Sequence, residues 1–192
     1  MSNLIDKNKT ILLIVDIQDV LLPKIRFREA VINNTLKLIE YAKIADIPIM
    51  VTEQYPKGLG HTTTLIRNAI PDFKPIEKAT FGCFGDKEFV KKLKKHKRDT
   101  LIVVGIETHV CICQTVLEAI EKYKVYVPVD AVSSQDKGDW ATALQRMKDK
   151  GAEIVSTEML IFELIQTAGT DEFKKILPYL KKSPKGKGSI VF

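Results

Sequence analysis

Segments 11–15, 48–52, 101–104, 125–129 and, more weakly, 153–156 are apolar runs without alternation, four of them followed at once by Asp16, Glu53, Gly105 and Asp130. Continuous β-branched runs of this kind suit strands covered on both faces, as in parallel sheets. A sixth, short strand is expected near residues 73–76. Helical patterns lie at 28–46, 86–97, 111–123, 137–150, 157–167 and 171–181, and Asp86 is a good N-cap for the second. Such alternation implies an α/β protein: a three-layer α/β/α arrangement around a doubly wound, mostly parallel sheet of about six strands, with right-handed crossovers. Ligands bind such sheets at the carboxyl ends of the strands. The residues that follow the runs are therefore placed together on one edge.

At 192 residues the chain is long enough for one sizeable core and short for two domains. The expected division is a domain over 1–180 and a basic tail over 181–192. The net charge of +6 is local: six lysines and no acid follow position 173, and the other 24 basic residues balance 24 acidic ones. The lysine run at 91–98 lies at the end of a predicted helix, where cations complement the dipole. Both basic segments read as solvated ends, so no nucleic-acid partner is expected. No apolar stretch is long enough to span a bilayer and none resembles a signal region, which argues for a cytoplasmic protein without a membrane partner.

The chain has three cysteines, an odd number without a disulfide framework. Cys111 and Cys113 would point about 200° apart on a helix, which disfavours a mutual disulfide or shared metal. Cys111 stands out, because a buried strand, Gly105 and a short polar turn lead to it at the start of a predicted helix. A helix N-terminus lowers a thiol's pKa, and the thiolate is the reactive form. A nucleophilic thiolate needs a base, a cation and donors for the developing oxyanion. Asp16 could be the base, Lys78 the cation, and the 105–111 turn the source of donors. Cys83 and Cys113 read as core fillers, Ser133 and Ser134 as turn and cap residues, and Trp140 as core or interface. His109 could relay a proton, or face solvent or another subunit.

Four segments carry a resemblance: residues 12–18 with Asp16 and Gln18; 78–81 with Lys78; Gly105-Ile-Glu-Thr-His-Val-Cys111 with Gln114 and Thr115 behind it; and 129–134. In order and spacing they resemble the isochorismatase-like cysteine hydrolases from about residue 9 to 180. The resemblance implies an Asp16–Lys78–Cys111 triad and a cis peptide between Ile106 and Glu107. It also implies an oxyanion hole from the N–H groups of Glu107 and Cys111. Oxyanion or substrate contacts are expected from Ile106, Glu107, Thr108, Gln18, Gln54 and Phe81.

Nicotinamidases in this family hold a metal with an Asp-x-His pair and further histidines. The matching stretch 51–61 has only His61 and resembles instead the isochorismatase-domain-containing subgroup, so no metal and no cofactor are expected. The implied activity is hydrolysis of a C–N bond in a small amide or ureide through a thioester, by a homo-oligomer. Alternatives are a non-catalytic protein retaining the fold, a thiol-redox protein using Cys111, and a receiver-type phosphoacceptor, suggested by Asp16 at the end of the first strand. The last would want an acidic pair there and a phosphorylated aspartate after the third strand, where this chain offers lysine.

Overall fold

A computed structural model describes residues 4–181. The first strand, β1 (Thr10–Val15), leads into helix α1 (Arg28–Ile44) and strand β2 (Ile49–Gln54). Two short helices follow, α2 (Pro56–Leu59) and α3 (Thr64–Ala69), then β3 (Ile76–Lys78) and α4 (Lys87–Lys95). The central strand β4 (Thr100–Ile106) runs into a π-helical turn (Thr108–Ile112) and helix α5 (Cys113–Ala119). The remainder is β5 (Lys124–Pro128), β6 (Val132–Ser133), α6 (Lys137–Asp149), β7 (Glu153–Val155), α7 (Thr157–Ile165) and α8 (Asp171–Lys181). The expected tail falls almost wholly outside the described residues.

The sheet is parallel throughout, in the order β3-β2-β1-β4-β5-β7, with β6 pairing the far end of β4. It has seven strands against an expected six or so. The extra one, β6, is two residues long and has no apolar run to announce it. Strand β2 also extends two residues past the expected end at Thr52, because Glu53 and Gln54 are themselves buried.

Alternation inside each strand builds two cores. On β4, Ile102, Val104 and Ile106 face α1, α3, α7 and α8, where Leu38, Ile66, Leu160 and Ile176 pack. Leu101 and Val103 face α4, α5 and α6, against Phe89, Val116 and Trp140. With both faces covered, the unalternated runs have their physical explanation. Asp86 accepts from the Phe89 N–H and caps α4 as expected. Asp136, rather than Ser133 or Ser134, caps α6 through the N–H groups of Gly138 and Asp139. Ser133 instead donates to the Arg26 carbonyl, and Ser134 Oγ lies against His109 Nδ1.

The strand order reverses between β1 and β4, which makes their carboxyl ends the switch point where doubly wound sheets bind ligands. Asp16 follows β1, and the turn bearing Cys111 follows β4.

Candidate active site

Alternation along β1 would send Asp16 to the α1 side, with Leu12 and Ile14. Its φ of 54° breaks that pleat. Aspartate is among the few residues that tolerate this left-handed region. The carboxylate comes instead to the α4–α6 side, where Ile76 and Lys78 alternate along β3. Beside it, Val15 pairs with Gly105. A Cβ at Gly105 would sit 2.0 Å from the Val15 carbonyl oxygen, and φ is +126°, so only glycine fits. This close approach brings the ends of β1 and β4 together.

Lys78 and Asp16 form an ion pair, Nζ to Oδ2 at 2.7 Å, with neither side chain exposed. The ammonium also donates to Gln54 Oε1 at 2.7 Å and to the Phe81 carbonyl at 2.9 Å, with the Thr80 carbonyl at 3.2 Å. Three protons therefore meet four acceptors. Asp16 in turn accepts from Thr52 Oγ1 at 2.7 Å on its other oxygen. A buried charge pair is tolerable when its remaining hydrogen-bonding capacity is met in this way.

Cys111 lies inside the π-helical turn and is almost wholly buried. The Asp16 charge acts on its thiol. The expected lowering of its pKa is overturned. Burial, then the Asp16 charge, push the thiol up to about 12, and the Lys78 cation opposes this only in part. The cysteine sits in a desolvated turn beside a carboxylate rather than at an open helix N-terminus. The arrangement is a protonated thiol next to a group able to take its proton. Cys83 is a buried filler, yet it too feels Asp16 and Lys78, and burial pushes its thiol up to about 12. Thr115 Oγ1 links the two segments, donating to the Cys111 carbonyl at 2.6 Å and accepting from the Cys83 N–H at 3.0 Å.

The other expected contacts fare differently. Gln54 holds Lys78 and donates to the Ala79 carbonyl. Phe81 contributes its carbonyl while its ring is exposed. Gln18 is wholly buried, and its amide is turned to backbone: it donates to the Gln54 and Gly60 carbonyls and accepts from the Gln54 N–H. That leaves it bracing the β2 loop rather than facing a substrate. The Ile106 side chain packs in the α1-side core, so only its backbone is near Cys111. The Ile106–Glu107 peptide is cis. The Glu107 carboxylate is held by Gln135. The Thr108 hydroxyl is buried with no hydrogen-bond partner among the described residues. Thr52 was missed; its only sequence signal is a polar residue inside an apolar strand, two positions from Gln54 and so on the same face. Glu53, one position on, faces away and accepts from Thr62 and His61.

Residues 10–159 match the isochorismatase domain. The chain belongs to the isochorismatase family. It is 37% identical to isochorismatase family protein 1B of Dictyostelium discoideum over 177 residues, covering 89% of this chain and 85% of that protein. Among solved structures, MAR1 ribonuclease from Caenorhabditis elegans superposes with a TM-score of 0.89 at 33% identity, over 98% of this chain and 97% of that one. YcaC of Escherichia coli, described as an octameric hydrolase of unknown specificity, gives 0.85 at 27% identity over 94% and 95%. YcaC of Pseudomonas aeruginosa, solved with hexane-2,5-diol and covalent acrylamide, gives 0.86 at 25% over 94% and 96%. The isochorismatase-family hydrolase fold is thus present along the described chain. Among the described residues, no helix is long and apolar enough to cross a membrane.

Proposed function

We propose that this isochorismatase-family protein is a cysteine hydrolase that cleaves the C–N bond of a small amide or ureide. The observation that carries the reading is the buried Asp16–Lys78 ion pair, whose carboxylate charge acts on the Cys111 thiol. Asp16 takes the Cys111 proton as sulfur attacks the carbonyl carbon. The oxyanion is received by the N–H groups of Glu107, just before the turn, and of Cys111 within it. Collapse breaks the C–N bond, Asp16 returns the proton to the departing nitrogen, and a thioester remains. Water then attacks the thioester with Asp16 again as base, releasing the acid and restoring the thiol. Lys78 balances charge throughout. With its protons already engaged, it anchors Asp16 and leaves the oxyanion to backbone donors.

Covalent acrylamide in the P. aeruginosa YcaC structure supports a nucleophilic side chain in a protein of this fold. No cofactor or metal has a step in this scheme. The octameric E. coli YcaC supports a homo-oligomer. Three free cysteines suit a reducing cytoplasm.

The reading includes no nucleic-acid partner. Lys91, Lys92, Lys94 and Lys95 sit at the end of α4 that leads into the start of β4, opposite the strand ends bearing Cys111. Within that run Lys92 pairs with Glu88.

The test is a panel of small amides and ureides, with RNA as a further substrate, incubated with wild type and Cys111→Ala. Release of ammonia or amine by wild type alone, with an acyl adduct on Cys111 in quenched samples, is the expected result. Turnover surviving in Cys111→Ala, or cleavage of RNA alone, overturns the proposal.

A further inference from the structure

We infer that Thr52 is a positioning residue for the reaction, holding the Asp16 carboxylate in the plane from which it can take the Cys111 proton. The inference rests on the reading of Cys111 as nucleophile and Asp16 as its base.

Thr52 lies on β2, opposite Val15 across the β1–β2 pairing, and its side chain faces the α4–α6 layer between Met50 and Gln54. It is wholly buried. A valine of the same shape would suit a buried strand position better unless the hydroxyl had a partner. The single proton of that hydroxyl goes to Asp16 Oδ1 at 2.7 Å, a direction the carboxylate imposes because it can only accept.

The consequence is geometric. The torsion that turns a carboxylate about its Cβ–Cγ bond is broad and roughly two-fold. An ammonium is a compact charge with freely oriented donors, so Lys78 on Oδ2 does not by itself fix the carboxylate plane. Thr52 on Oδ1 supplies the second point of attachment. The two together hold both oxygens and so orient the remaining carboxylate lone pairs, from which Asp16 would take the Cys111 proton.

The effect is read without knowledge of the substrate. Acrylamide adds to a thiol with no co-reactant: sulfur bonds to the terminal alkene carbon, and the proton taken by Asp16 ends on the carbon next to the carbonyl. Adduct formation at Cys111 is followed by intact mass and peptide mapping in wild type, Thr52→Val, Thr52→Ala, Thr52→Ser and Cys111→Ala, alongside thermal midpoints. Loss of a hydrogen bond to a charged group corresponds to a slowing on the order of ten-fold. That slowing is expected equally in Thr52→Val and Thr52→Ala, which lack the hydroxyl but differ in volume. Thr52→Ser should react within about two-fold of wild type, since it keeps the donor. Rates that follow side-chain volume, with Thr52→Val like wild type, overturn the positioning role and leave the nucleophile reading intact. An adduct forming at the wild-type rate in Cys111→Ala overturns the nucleophile reading and this inference with it.

Discussion

Lys78 Nζ and Asp16 Oδ2 stand 2.7 Å apart with neither side chain exposed to solvent. The pair joins the ends of β3 and β1, 62 positions apart in the chain. Around it the Gln54 side chain, the Phe81 carbonyl and the Thr52 hydroxyl meet the hydrogen-bonding capacity the pair leaves over.

Removing one member of a buried, saturated pair leaves the other charge without compensation. Lys78→Met should therefore cost about 3–5 kcal/mol of stability, and Asp16→Asn/Lys78→Met should recover much of that loss. Urea unfolding of the two variants and wild type measures it. A Lys78→Met protein as stable as wild type would show that the pair is hydrated.

The free protein should carry Cys111 as a thiol at neutral pH. Burial and the Asp16 charge raise it to about 12, so thiolate absorbance near 240 nm should show no inflection below about pH 9. The iodoacetamide rate should keep climbing through that range rather than level off. A plateau at neutral pH would mean that Lys78 dominates Asp16 at the sulfur.

Cys83 links the same electrostatics to stability. Its thiol is raised from 9.0 to about 12 in the folded protein, so above the unfolded value the unfolded chain releases a proton that the native state keeps. Its contribution is fully present below about pH 9 and is lost as pH rises toward 12, at about 1.4 kcal/mol per pH unit. Unfolding midpoints between pH 8 and 11 should fall less steeply in Cys83→Ala than in wild type. Parallel curves would show that Cys83 titrates alike in both states.

Gly105→Ala tests the contact between β1 and β4. The new Cβ would meet the Val15 carbonyl oxygen at 2.0 Å in a backbone region that L side chains avoid. A loss of about 4 kcal/mol or more, or failure to fold, is expected in urea titrations. A neutral result would require the two strands to separate.

Much of the site was legible because its members punctuate apolar runs. Asp16 follows β1, and Gly105 to Cys111 close β4, so a strand pattern and the switch-point rule place them together. Lys78 could be named as a cation, but no periodicity marks a three-residue edge strand, so only the resemblance gave it a place in the triad. Gln54 and Gln18, expected as substrate contacts, are both polar residues just beyond apolar runs. Polarity does not say whether an amide faces ligand or backbone, and here the Gln18 amide braces the chain while Gln54 holds Lys78. Thr52 stayed hidden because a threonine in a strand is unexceptional until its partner is known.

Periodicity and punctuation are local, so the sequence by itself determined the α/β class, the parallel sheet, the capped α4 and the chemical types brought to one edge. The protonation of Cys111 was decided only by the tertiary structure. The helix-terminus argument uses a few neighbouring residues, whereas the thiol responds to burial by the whole site and to a carboxylate 95 positions away in the chain. Desolvation and long-range hydrogen bonds are sums over residues that folding alone brings together, and at this sulfur they outweigh the local pattern.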